Sequence, residues 1–180
     1  AAHCGWVVAG GRLPTESELE KAARGGCELT SSGKCKGAAK IYVWGNAPEP
    51  SCEVTVMSES KGGGCAYAGV KLADNPRQQR STQRVCQLLS SLIGPVGHYD
   101  LAGNVAEWTA DGYDSLAYAN HVAAPKKDPL VPAKPSMVVR GGNWKDVPDS
   151  KDKFRTAGRH FVSVKANSAD VGFRCVAPKK

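Results

Sequence analysis

The sequence predicts a single α+β domain, rich in loops and stapled by disulfides, over residues 1–180. Three observations predict it. Twenty Gly and eleven Pro place turn-formers along the whole chain and exclude a helical bundle. Seven Cys with no Cys-x-x-Cys pair argue against a zinc site and for disulfides. One segment has helical periodicity, while the other apolar segments are only long enough for short strands. Disulfides in turn imply export, so the expected location is secreted, periplasmic or at a cell surface.

Composition narrows the function classes. The hydrophobic share is 41%, enough for a core, and the net charge is +7 from 24 basic and 17 acidic residues. That balance suits an acidic partner, yet the basic residues are scattered. No dense Lys/Arg run with interleaved aromatics is present, so no nucleic-acid partner is expected. No apolar run approaches the roughly 20 residues of a membrane span, and these residues are not expected to include a signal peptide.

In chain order, Ala1 to Trp6 reads as the end of a helix. Thr15 to Gly26 is the clearest helix: Thr15 is a good N-cap, Glu18 completes a capping box, and Gly25-Gly26 stops it. Leu19, Ala22 and Ala23 share one face, and Glu16, Glu18, Glu20 and Lys21 read as polar. Cys27 to Cys35 encloses a polar loop suited to a local disulfide, and Cys52 to Cys65 brackets a second. Ile41 to Trp44 is a short strand or a buried apolar turn. The glycines 62–64 lack a following Gly-Lys-Ser/Thr and read as a turn, not a phosphate loop. Asp74 to Gln83 is a polar surface loop, and Val85 to Ile93 a helical turn or strand. Ala110 to Ser136, with Pro125, Pro129, Pro132 and Pro135, is expected to be one long surface excursion. Met137 to Arg140 is a short strand entering Gly141-Gly142; Asn167 to Asp170 turns the chain back into Val171 to Val176.

The run Tyr99 to Trp108 organises the rest. It sets Asp100 and Glu107 at either end of a Gly-Asn turn, with only small or apolar residues between them. Two such carboxylates repel unless a cation or an array of donors lies between them. Ca2+ suits the arrangement, because it takes carboxylates together with backbone carbonyls. The alternative is an N-cap at Asp100 and a solvent-facing Glu107 beside a packed Trp108.

Gly103-Asn-Val-Ala-Glu-Trp108 resembles the signature of the formylglycine-generating enzyme (sulfatase-modifying factor) family. Arg12-Leu-Pro-Thr-Glu-Ser-Glu-Leu-Glu-Lys-Ala-Ala-Arg-Gly-Gly26 resembles its helix motif, followed by Tyr42-Val-Trp-Gly-Asn46. Val139-Arg-Gly-Gly-Asn-Trp144 then leads to Val171-Gly-Phe-Arg-Cys175. The resemblance implies a C-type-lectin-like fold with a small twisted antiparallel sheet. It implies a structural Ca2+ held by the side chains of Asp100 and Glu107 and the carbonyls of Gly103 and Val105. It also implies that the N-terminal part of the family domain lies outside this sequence or comes from a second chain.

For the cysteines, the resemblance pairs Cys4 with Cys175. A loop of that length contributes on the order of 4–5 kcal/mol on the chain-entropy account. The spacing of the sequence itself suggests Cys27–Cys35 and Cys52–Cys65, which leaves Cys86 over. A further family disulfide falls at Ala23 and Thr156, both lost together.

Members of that family that oxidise thiols use two copper-binding cysteines shortly after the Arg-Gly-Gly motif. Their counterparts here are about Asp146 and Lys151, and no thiol lies between Arg140 and Cys175. Neither Asp nor Lys is a soft ligand for Cu(I), so no copper is expected. His3, His98, His121 and His160 show no metal-ligand spacing, and no nucleophile with a partnered base is identifiable. The expected function is a non-catalytic, exported binding or interaction domain for a protein or other extracellular ligand. Its ligand face would comprise Trp144, Lys145, Asp146, Arg159, His160 and Phe161, with Lys151 and Lys153 beside them. Three alternatives stand beside it: an enzyme of the wider family with an altered site, a structural subunit of an extracellular assembly, and a variable protein of a diversity-generating retroelement.

Overall fold

The computed structural model describes residues 10–25, 40–58, 82 and 97–177. Their regular elements are few. Helix α1 is Glu16–Arg24, strand β1 Ala106–Gly112, helix α2 Ala117–Ala123 and strand β2 Ser136–Arg140. A 3-10 helix follows at Pro148–Phe154, then strand β3 His160–Ser163 and strand β4 Val171–Gly172. The expectations for Ala1 to Trp6, Cys27 to Cys35, the glycines 62–64, Val85 to Ile93, and Cys4, Cys65 and Cys86 lie outside the described residues. So does Asp74 to Gln83, apart from Thr82.

Helix α1 forms as its sequence dictates. The Thr15 hydroxyl accepts from the Glu18 amide at 3.2 Å, and the Glu18 carboxylate accepts from the Thr15 amide at 2.8 Å. This capping box satisfies two amides that have no partner inside the helix. Arg12 grips the same carboxylate at 2.6 and 2.7 Å and is the main reason Glu18 is held at a pKa of about 2. Gly25, at φ 79, ends the helix, its amide bonding to the Lys21 carbonyl.

Strands β1 and β2 pair antiparallel, as do β2 and β3, in the order β3-β2-β1-β4. Strand β4 runs parallel to β1, with Ala106 opposite Val171 and Glu107 opposite Gly172. The sheet is therefore mixed, not purely antiparallel as expected. The return from β3 through the Asn167–Asp170 turn brings β4 in along β1, and the Ala106 amide bonds to the Asp170 carbonyl at 2.9 Å.

The segment expected to be one surface excursion is divided. Its first residues complete β1, which carries Glu107 opposite Arg140, and Ala117–Ala123 coil into α2. All four prolines fall after this helix, so nothing prevents its turns. Only the stretch beyond Ala124 runs as exposed coil. Ile41 to Trp44 is a turn, buried at Tyr42 and Val43 and exposed at Ile41, closed by reciprocal Tyr42–Gly45 backbone bonds.

The core has two parts. Tyr42, Val56, Met57 and Phe154 form one cluster; Leu19, Ala23, Val43, Leu101 and Ala102 form the other against α1. Gly103 shows how tightly the turn before β1 is packed. A Cβ there would sit 2.1 Å from the Thr55 hydroxyl oxygen, and its φ of 76° disfavours any side chain.

One of the expected polar positions of α1 belongs to the interior. Glu16 is 4% exposed. Its carboxylate accepts from Arg140 at 3.1 Å and from Arg159 at 2.8 and 2.9 Å, while its amide donates to Asp111 at 2.7 Å. Arg140 also reaches Glu20 at 2.5 Å and the carbonyls of Thr156 and Gly158. Glu20 stays below the ordinary carboxylate range: burial pushes it up, but Arg140, Tyr118 and Arg24 together outweigh that. The network joins α1 to the sheet through charge on one face. Replacing Glu16 with Ala leaves Arg140 buried and short of a counter-charge. We expect a loss of about 3–5 kcal/mol, measured by denaturant unfolding.

Candidate functional site

The Tyr99–Trp108 run enters β1 through a turn of unusual backbone. Asp100, Gly103 and Asn104 all have positive φ, at 54°, 76° and 63°. The turn is held from outside: the Gly103 amide bonds to the Gly141 carbonyl, the Asn104 amide to the Val56 carbonyl, and the Asn104 carbonyl accepts from Trp144. Glu107 then stands at the base of β1 and is 8% exposed, so it does not face solvent. Arg174 binds it through two bonds of 2.5 Å, and the same guanidinium donates to the carbonyls of Tyr99 and Asp100 at 3.1 and 3.2 Å. Burial raises the Glu107 pKa against the pull of Arg174, and the charge on Asp100 adds to the rise. The structure thus brings Asp100 and Glu107 into electrostatic contact around an arginine that the spacing of the turn alone did not reveal. Arg174 lies in the Gly-Phe-Arg-Cys run, and parallel pairing of β4 delivers it to β1.

Gly142 begins the second region. A Cβ at this position would meet the Phe154 ring at 3.0 Å, so the chain turns here only with glycine. Asp146 follows and is 6% exposed. One of its oxygens accepts from the Asn143 amide at 2.9 Å and the other is bonded by the Lys153 ammonium. The Asp146 carbonyl accepts from Ser58 at 2.8 Å. Lys151, the expected second counterpart of a thiol pair, lies instead at the surface near Glu49, at 3.5 Å. The group that meets Asp146 is Lys153, two residues later on the 3-10 helix.

Beside this pair opens a cleft of about 240 Å3. Ala106, Val139, Val162 and Val171 give it apolar walls from all four strands. Asn143, Asp146, Lys153, His160, Ser168 and Asp170 supply its polar groups. His160 is half-buried and its Nε2 is shielded with no hydrogen-bond partner. Burial, and next the charge on Lys153, hold its pKa below the usual histidine value.

The six residues expected to share a ligand face do not share one environment. Asp146, His160 and Phe161 border the cleft. Trp144 packs against the core cluster around Phe154, with the Lys145 ammonium 5.2 Å from its ring. Arg159 belongs to the Glu16 network and lies 5.1 and 5.0 Å from the rings of Tyr113 and Tyr118. Phe161, 55% exposed, packs its ring tilted against Tyr113, at 4.4 Å between centroids. Asn143, Ser168 and Asp170 are polar cleft residues that the sequence did not place at the expected site, while Lys153, expected beside it, does line the cleft. The Asn167–Asp170 turn carried a signal for two of them, but not its position beside the cleft.

His160 is expected to titrate below 6.5 in the folded protein. A histidine whose folded pKa is lowered binds fewer protons folded than unfolded, so its contribution lowers stability as pH falls below 6.5. Lys153→Met removes a neighbouring positive charge and should raise the His160 pKa, read by NMR titration of its ring protons.

Comparison with known proteins gives a consistent result. The model of the sulfatase-modifying factor enzyme 1-like domain matches residues 1–179. A formylglycine-generating enzyme of Thermomonospora curvata is 29% identical over 98% of this chain and 52% of its own length. An inactive C-alpha-formylglycine-generating enzyme 2 of Bos taurus is 30% identical over 98% and 46%. A serine/threonine-protein kinase of Chlamydia pneumoniae is 33% identical over 94% of this chain but 21% of its own. The chain thus spans about half, or less, of the length of these relatives. Among solved structures, Treponema denticola variable protein 1 has a TM-score of 0.55 at 24% identity, covering 92% of this chain and 46% of that one. PvdO from Pseudomonas aeruginosa has a TM-score of 0.60 at 20% identity, covering 97% and 56%. With the Arg-Gly-Gly turn, the Gly-Asn turn and the Gly-Phe-Arg-Cys strand joined around one sheet, the chain belongs to the sulfatase-modifying factor enzyme 1-like, or formylglycine-generating-enzyme-like, domain family.

Proposed function

We propose that this chain is a non-catalytic, exported binding domain on a formylglycine-generating-enzyme-type scaffold, with its ligand face on the loops after Gly142. The observation that carries the reading is the Asp146–Lys153 pair. Where the copper-binding thiol would stand, a buried carboxylate is bonded to a backbone amide and neutralised by an ammonium. Such a pair is a hard, charge-balanced structural element and offers no thiolate to Cu(I). A cleft of about 240 Å3 lies beside it, which is what a binding role needs. Relatives of Bos taurus and Mus musculus named as inactive formylglycine-generating enzymes, each 30% identical, support the same reading. With copper and a thiol peptide, the protein should consume no oxygen; turnover would overturn the reading.

The scaffold is clamped by Ca2+ in this proposal, with Asp100, Glu107 and the carbonyls of Gly103 and Val105 as its ligands. The donor chemistry fits a hard cation: the charge on Asp100 is felt at Glu107, and carboxylates together with backbone carbonyls are the ligands Ca2+ takes. When bound, the ion would ease the repulsion between the two carboxylates and fix the positive-φ turn. Cross-links complete the clamp: Cys4–Cys175, Cys27–Cys35 and Cys52–Cys65 are the pairings proposed. Support comes from Cys52 and Cys175, each of which is disulfide-bonded. Ca2+ at a hundred times its Kd should stabilise the fold by about 2.7 kcal/mol, and Asp100→Ala should abolish the gain. A melting temperature indifferent to both chelator and Ca2+ would remove the ion from the proposal.

A further inference from the structure

The coil beyond α2 returns across the end of β1 and is fastened there. The Val131 amide donates to the Asp111 carboxylate at 2.9 Å, and the Gly112 amide donates to the Val131 carbonyl at 3.1 Å. The approach is so close that a Cβ on Gly112 would lie 2.2 Å from the Pro132 carbonyl oxygen. Asp114 adds a second fastening, accepting from the Lys134 ammonium at 2.9 Å and from the Leu116 amide at 2.8 Å. Pro129 and Pro132 restrict the backbone of the coil itself.

Between this coil and α2 lies a pocket of about 280 Å3. Ala117, Asn120, His121 and Ala124 line it from the helix side, at the spacing of one helical face. Leu130, Val131 and Pro132 line it from the coil. Its walls are therefore mainly apolar, and Leu130, 54% exposed, stands at the solvent side. None of these residues borders the cleft after Gly142, so this is a separate site.

Two basic side chains, His121 and Lys126, line the same pocket. Neither has a hydrogen-bond or ion-pair partner among the described residues. Both are open to solvent: Lys126 is exposed and His121 half-buried. The one lining carboxylate, Asp114, is already balanced by Lys134, and the charge of Asp128, just beyond Lys126 in sequence, is felt at Arg12. The free charge of the pocket is thus positive. A carboxylate answers it, with one oxygen for the ammonium and one for an imidazole N–H. A cation would find no free acid, and the second charge of a phosphate ester would add repulsion from Asp114. An apolar body joined to the carboxylate would cover Leu130 and Val131 and remove their surface from water. At about 280 Å3, just below the roughly 300–1,000 Å3 of drug-sized pockets, there is room for one small molecule.

From this chemistry we infer that the pocket between α2 and the coil binds a small monocarboxylate with an apolar body, a branched-chain or aryl-substituted short acid. Lys126 and His121 hold the carboxylate; Leu130, Val131 and Pro132 hold the body. The inference goes beyond the role proposed for the cleft and does not depend on it.

The test is an NMR titration of the full chain with 4-methylpentanoate and with 3-phenylpropanoate. Acetate, 3-phenylpropanamide and phenyl phosphate are the comparisons. At least one of the two acids should bind and shift the His121 ring signals, which are assigned by their loss in His121→Gln. Acetate, without the body, and the amide, without the charge, should each bind about tenfold more weakly or not at all. Lys126→Glu replaces an attraction at the surface with a repulsion and should weaken the acid about tenfold. Leu130→Asn should weaken it about threefold, by exposing polar surface to the body. Both positions are exposed, and thermal melting shows that each variant is folded. Binding of neither acid, equal binding by both folded variants, or an amide as tight as its acid would overturn the inference. Tighter binding of phenyl phosphate would overturn the carboxylate class.

Discussion

The buried charge network centred on Glu16 is the constraint on which the rest of the structure depends. One carboxylate from the first turn of α1 meets guanidinium groups from β2 and from the residue before β3. Each partner alone would carry a large desolvation penalty. Together, with carbonyls of Thr156, Gly158 and Asp114 taking the remaining donors, they are compensated. Among the described residues the apolar clusters are small, and these directional bonds tie α1 to the sheet. The register of β2 follows: Arg140 must reach Glu16 while the next two residues turn away as glycine.

That division of labour leaves the other residues after Gly142 to form the cleft. With Arg140 and Arg159 drawn into the Glu16 network, the positive charge at the cleft comes from lysines that already have partners. The Asp146–Lys153 pair is thus an internal, charge-balanced element of the turn after Gly142. Asp146 serves the turn through Asn143 and Ser58 as much as it serves the cleft.

Much of this was legible in the sequence, for reasons that differ by residue. The limits of α1 were readable because capping is local: Thr15, Glu18 and Gly25 act within a few positions of one another. The strand before Gly141-Gly142 was readable from its short apolar run. Glu16 was misread as polar surface because the charges that bury it come from far along the chain, 124 and 143 residues away. Glu107 was tied correctly to a need for positive charge, but Arg174 was invisible from spacing, since only the parallel β4 pairing brings it near. Arg159 looked like a surface contact for the same reason. Helix α2 was hidden by averaging over a proline-rich window whose prolines all lie on one side.

The pairing of β4 alongside β1 has a consequence for synthesis. Until the ribosome has released Val171 to Val176, one edge of the central strand is open, Glu107 lacks its guanidinium, and Arg12 has no Val176 to bridge. A nascent chain halted earlier would display an unpaired strand edge next to a buried acid, the kind of surface that chaperones hold and neighbouring chains invade. Folding of this domain is therefore expected to finish after translation of the segment, in one late closure, rather than to accumulate from the amino-terminal end.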